Sequence, residues 1–117
     1  MNVFPILLGL GIAAACAAVA WAEPATLKGD EIRVLLTDHS LYGGQAGEVE
    51  QIFQKSGATF YLQNGNASQG TWDVEGDSYC STWPPNPANV CYRVEQEGQM
   101  VRFIGPSNRI NEMRTVK

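Results

Sequence analysis

The sequence predicts a mainly β domain of the α+β class: an antiparallel meander of about seven short strands, curled into a bent sheet or small barrel, with one N-terminal helix. Three observations predict it. Helical spacing of apolar residues is confined to one segment ahead of Leu41. From Leu41 onward apolar residues alternate with polar ones. Turn-forming clusters interrupt that alternation at intervals of about 8–12 residues.

Residues 1–22 stand apart from the rest. Met1 to Ala22 contains no Asp, Glu, Lys, Arg or His, so all eight basic and twelve acidic residues lie beyond it. An apolar run from Val3 to Ile12 passes into an Ala-rich stretch and ends at Ala20-Trp21-Ala22, before Glu23-Pro24. Small residues at the first and third positions before a polar start are what a signal peptidase reads, so the expectation is a signal peptide over 1–22 and a single domain over 23–117. The run also has about the 20 apolar residues of a membrane anchor, and Cys16 offers a site for lipidation. Retention and lipidation therefore stand beside cleavage as alternatives.

The expected helix follows. Thr26 reads as its N-cap, Ile32, Leu35 and Leu36 fall at i, i+3 and i+4, and acids lie early, giving about three turns. Gly29 costs about 1 kcal/mol against Ala inside a helix, unless it marks the true start. Asp38-His39-Ser40 ends the segment. Strands are expected over 48–55, 58–63, 69–75, 78–83, 90–96, 99–105 and 109–116. The Asn64-Gly65-Asn66 cluster is a hairpin signal. Pro84-Pro85-Asn86-Pro87 must be loop or edge, because proline cannot donate to a ladder.

With the first 22 residues removed, two cysteines remain, Cys80 and Cys91. In an exported chain such a pair is expected to be a disulfide, closing a loop of about 12 residues and contributing on the order of 3 kcal/mol through loop-closure entropy. A domain this small buries only about 60–65% of its unfolded surface, so a staple of that size matters. Alternation puts Tyr79 and Trp83 on one side of their strand and Cys80 on the other, and Tyr92 and Val94 opposite Cys91. The disulfide is therefore expected to pin a hairpin register on the side away from the aromatics.

The net charge of −4 argues against nucleic acid and anionic lipid, which both reward a basic patch. His39, the one histidine, sits beside Asp38 and Ser40, but adjacent residues do not converge as a triad must; a helix-end cap is the simpler role. Asp73, Glu75 and Asp77 alternate onto one face but lack the loop grammar of a calcium site, so a solvated outer face is expected and no metal or cofactor is implied. Asn66-Ala67-Ser68 is a formal glycosylation sequon that matters only in a eukaryotic source.

Several spaced motifs carry a resemblance. Leu27-x-Gly29-x-Glu31-Ile32-x-x-Leu35-Leu36, Ser40-Leu41-Tyr42-Gly43, Gly70-Thr71-Trp72, Cys80-x-x-Trp83 and Cys91-Tyr92-x-Val94 occur in this order. Together the chain resembles small exported alphaproteobacterial proteins of unknown function, over nearly all of 23–117. The resemblance implies a secreted β domain with this cysteine pair and no assigned reaction. Gly70-Thr71-Trp72 is also similar to the G-x-W of lipocalin- and avidin-like barrels, where the Trp closes one barrel end from the first strand; here it falls mid-chain.

The functional expectation is a non-enzymatic module, periplasmic or secreted, without a membrane after signal cleavage. It would bind a small apolar ligand within the curl of the sheet, or an envelope protein on its loops. Trp83, Pro84, Pro85, Tyr79 and Tyr92 are the candidate binding residues. The alternative is an envelope inhibitor of a secreted hydrolase that uses the Trp83–Val90 loop as a plug, suited by proline and disulfide rigidity. An enzyme would need two carboxylates held roughly 5–10 Å apart in a cleft, and nothing in the sequence argues for that.

Overall fold

In the computed structural model, residues 24–117 are described; the expected signal peptide and Cys16 lie outside them. The chain forms β1 (Ala25–Thr26), α1 (Gly29–Leu36), β2 (His39–Gly43), β3 (Val49–Phe53), β4 (Ala58–Gln63), β5 (Asn66–Glu75), β6 (Ser78–Thr82), β7 (Asn89–Glu97), β8 (Met100–Ile104) and β9 (Ile110–Arg114). Strands β2 to β9 run as an antiparallel meander whose first and last members pair, so the sheet closes into an eight-stranded barrel. The two-residue β1 lies outside the meander and pairs with the far end of β7.

The expected meander is present, with one barrel strand more than the seven expected. His39–Gly43, expected to end the helix and lead out of it, is β2. The chain reverses within two residues because Asp38 adopts a positive φ of 60°. Its carboxylate accepts the Lys55 N–H at 3.0 Å, and its own N–H donates to the Phe53 carbonyl at 2.7 Å. The helix is also shorter than expected. Thr26 is not its cap but pairs with Glu95 in the sheet. Gly29 marks the start, and Glu31 accepts the Lys28 N–H at 2.8 Å in the reciprocal arm of a capping box.

Asn64 and Gly65 form the expected two-residue turn, both at positive φ (51° and 80°), as the twist of a tight hairpin requires. Pairing begins at once with Gln63 against Asn66, so the sequon lies on β5 rather than in a turn.

Helix α1 plugs one end of the barrel. Leu27, Ile32 and Leu36 are buried and join Leu41, Phe53, Trp72 and Val94 in one core. The Trp72 indole N–H donates to the Gln54 carbonyl at 2.9 Å, which fixes the ring near that end. The β5–β6 turn anchors the helix, since Asp77 accepts the Gly29 N–H at 2.8 Å. That carboxylate satisfies one orphan donor and complements the helix dipole.

Closure is minimal at the β2–β9 seam, where Tyr42 opposite Arg114 is the only paired position. Beyond it, Ile110–Met113 pair with β8 on one side and, among the described residues, with no strand on the other. Arg114 spans the seam by donating to the Gly44 carbonyl at 2.7 Å. Among the described residues no helix is long and apolar enough to cross a membrane.

The closeness of helix and turn generates a prediction that runs against helix propensity. A Cβ on Gly29 would collide with the Gly76 carbonyl. Gly29→Ala should therefore destabilise by about 1–3 kcal/mol, as overpacking does, although alanine is the best helix former. The check is the midpoint of urea unfolding, which should fall; a rise would show that the plug can shift without cost.

Candidate functional site

The barrel end opposite α1 is open, and a cavity of about 630 Å³ enters the lumen there. That lies within the range of small-molecule pockets, roughly 300–1,000 Å³. Its rings come from four strands or their ends: Tyr61 on β4, Trp83 after β6, Tyr92 on β7 and Phe103 on β8. Tyr61 and Trp83 meet edge to face at 6.4 Å between centroids, and so do Tyr92 and Phe103.

Glycines make room for two of these rings. A Cβ on Gly70 would come within 2.8 Å of the Trp83 ring, and one on Gly105 within 2.8 Å of the Tyr92 ring. The first half of the G-x-W motif thus seats Trp83 at the mouth. Its second half, Trp72, serves the plugged end.

The inner end of the cavity is polar. Gln51, Thr59 and Ser81 are buried and belong to inward-facing positions of β3, β4 and β6. Thr59 donates its hydroxyl proton to the Ile52 carbonyl at 2.9 Å. Its oxygen therefore accepts from Gln51 Nε2, at 3.1 Å, which fixes the orientation of the Gln51 amide. The same nitrogen donates to the Tyr79 hydroxyl at 3.2 Å. Trp83 Nε1 donates to the Ser81 hydroxyl at 3.2 Å, tying the rim to the floor.

Tyr79 is the hub of both layers. Its ring packs on Phe53 at 5.8 Å, Tyr92 at 5.9 Å and Phe103 at 5.1 Å. Burial pushes its hydroxyl up to about 12, while the nearby Ser81 hydroxyl and the Gln51 amide pull more weakly the other way. It stays a neutral phenol throughout the physiological range.

Of the five residues expected to bind, the structure brings Tyr79, Trp83, Pro84 and Tyr92 to this cavity. Pro85 is exposed on the loop and is not part of the lining. The Trp83 indole is half-buried and turned over the cavity, not out at the loop tip.

Cys80 and Cys91 form the expected disulfide and sit directly opposite each other. They occupy the outer face of the strands that carry Tyr79, Ser81 and Tyr92 inward. Only Glu75 joins their sulfurs in a tight group of metal-ligating residue types, and oxidised sulfurs leave that carboxylate as the lone donor. Glu75 instead accepts from Asn89 at 3.2 Å, and Asp77 caps the helix. The three alternating acids therefore do not share one solvated face, because Asp77 lies in the turn. His39 Nδ1 lies 3.0 Å from the Leu35 carbonyl; an oxygen there only accepts, so this nitrogen carries a proton.

Gln51, Thr59, Ser81, Tyr61 and Phe103 were not singled out from the sequence. One signal was present: Gln51 falls between Val49 and Phe53 on the inward face of a strand, where a polar residue needs a buried partner.

No family model, curated protein or solved structure matches this chain.

The Tyr79 shift has a consequence for stability. Its folded value lies above the unfolded value of about 10, so its contribution is complete below pH ~10 and is lost as pH rises towards 12. Over that window the wild type should lose on the order of 2–3 kcal/mol more stability than Tyr79→Phe. Denaturant unfolding at stepped alkaline pH measures the difference, and equal losses would place the phenol in solvent.

Proposed function

We propose that this chain is an exported, non-enzymatic binding domain that holds a small ring-bearing molecule in the open end of its barrel. The observation that carries the reading is a one-ended cavity with aromatic sides and a hydrogen-bonded polar floor. Flat rings pressed on glycines offer apolar contact at little conformational cost, and a few convergent polar groups orient what enters.

Export is supported by the oxidised pair, since disulfides persist in oxidising compartments, and by the uncharged apolar run over residues 1–22. A periplasmic or secreted location fits both, as does the resemblance to small exported proteins.

The cavity gives hydrolytic chemistry little to work with. Glu112 is its one acidic lining residue, and its carboxylate accepts from Arg102 at 2.8 Å. The two-carboxylate arrangement of glycoside hydrolysis has no counterpart in this cavity. The inhibitor reading needs a projecting aromatic on the Trp83–Val90 loop, whereas the indole is turned inward.

The test is native mass spectrometry of the unreduced protein purified from its own cells, with Trp83→Ala alongside. The wild type should carry a discrete mass that leaves on denaturation. The variant should lose it while melting within a few degrees of the wild type, as expected for a half-buried rim residue. A wild type that emerges empty and takes up no neutral ring compound would refute the reading.

A further inference from the structure

The geometry points to a specific ligand class for this cavity: an uncharged aromatic alcohol, whose ring lies among Tyr61, Trp83, Tyr92 and Phe103 and whose hydroxyl reaches the floor. The inference rests on the cavity being a ligand site, and it deepens that reading through charge and hydrogen-bond accounting.

Charge comes first. The lining contains no Lys, Arg or His, and its single carboxylate, Glu112, is engaged by Arg102. Neither an anion nor a cation entering the lumen would meet a free counter-charge. Burying an unpaired charge is costly enough that such ligands are excluded.

The hydrogen-bond count then sets the polar group. Both Gln51 Nε2 protons are used, on Thr59 and Tyr79. Its Oε1 has no donor among the described residues, although the residue is 8% exposed and lines the cavity. Leaving a buried acceptor unpaired costs about 1–3 kcal/mol, so a ligand that supplies a donor gains there.

On the opposite side of the floor, the Tyr79 hydroxyl accepts from Gln51 and the Ser81 hydroxyl accepts from Trp83. Neither hydroxyl donates to an acceptor among the described residues, so each keeps a proton to give. The floor thus presents one acceptor and two donors, and a single hydroxyl, which donates once and can accept twice, answers them.

The part of the ligand that meets Tyr61, Trp83, Tyr92 and Phe103 is best flat and apolar, while Ser68, Asn111 and Glu112 supply the polar groups elsewhere in the lining. A polyol would fit the floor but would set further hydroxyls against those four rings, which offer them no strong acceptor.

Calorimetric titration with three probes of matched shape tests this: 2-naphthol, 2-methoxynaphthalene and 2-naphthoate. 2-Naphthol should bind at least about fivefold more tightly than the methyl ether, which accepts but cannot donate. The carboxylate should bind about a hundredfold more weakly or not measurably. Gln51→Leu, checked for an intact fold by circular dichroism, should erase the preference for naphthol while retaining the ether. Should that variant unfold, Ser81→Ala provides the second arm: removing a floor donor should weaken naphthol and ether alike and leave the preference between them intact, and unchanged binding of both would overturn the assignment.

Equal binding of naphthol and ether, tighter binding of naphthoate, or binding of methyl glucoside in place of all three would overturn the aromatic-alcohol assignment while leaving the cavity a ligand site. Failure of every probe, together with an empty native protein, would remove the site itself.

Discussion

A closed barrel has two ends, and the described residues carry one α-helix. That mismatch is the constraint on which the rest depends. Leu27, Ile32 and Leu36 fill one end and merge with Phe53 and Trp72 into the core, so hydrophobic stabilisation is concentrated in the plugged half. Among the described residues, no element closes the other half. Its interior must be acceptable both to water and to whatever replaces water, and rings and hydrogen-bonded polar groups line it beside Val49, Ile110 and Met113.

Tyr79 joins the two halves. Its ring belongs to the core and its hydroxyl to the floor, so one residue sets the depth at which apolar packing gives way to hydrogen bonds. Gln51, Thr59 and Ser81 surround that boundary. Polar groups buried at such a depth are tolerated when they pair, and the Thr59–Gln51–Tyr79 sequence of bonds pairs most of them. The unpaired oxygen of Gln51 is conspicuous because both protons of its amide nitrogen are engaged.

Much of the architecture was legible in the sequence because closure of an antiparallel meander needs only alternation and turns. The Asn64-Gly65 turn, the disulfide and the opposed faces of Cys80 and Tyr79 all follow from period-two patterning. The strand His39–Gly43 did not, because its entry turn is made by Asp38 at positive φ with no glycine or proline to announce it. The floor was hidden for a different reason. On β4 the more apolar residues Phe60 and Leu62 face outward, while Thr59 and Tyr61 face the lumen, so hydrophobicity alone points to the wrong side of that strand. Trp83, Tyr79 and Tyr92 could be found because large aromatics on one side of a stapled hairpin stand out whatever they face. Pro85 was carried along by its neighbour Pro84, and only the course of the loop separates the two.

The seam between β2 and β9 adds a property that side chains do not supply. Ile110–Met113 run beside the mouth with one edge unpaired among the described residues, so main-chain N–H and C=O groups border the entrance. Such groups are the same whatever residue stands there, proline apart. Drift at these positions can reshape the rim and redirect which ring is preferred, yet the polar welcome at the gate is inherited unchanged. The wall therefore combines a hereditary component, written in the backbone, with an adjustable one written in the side chains.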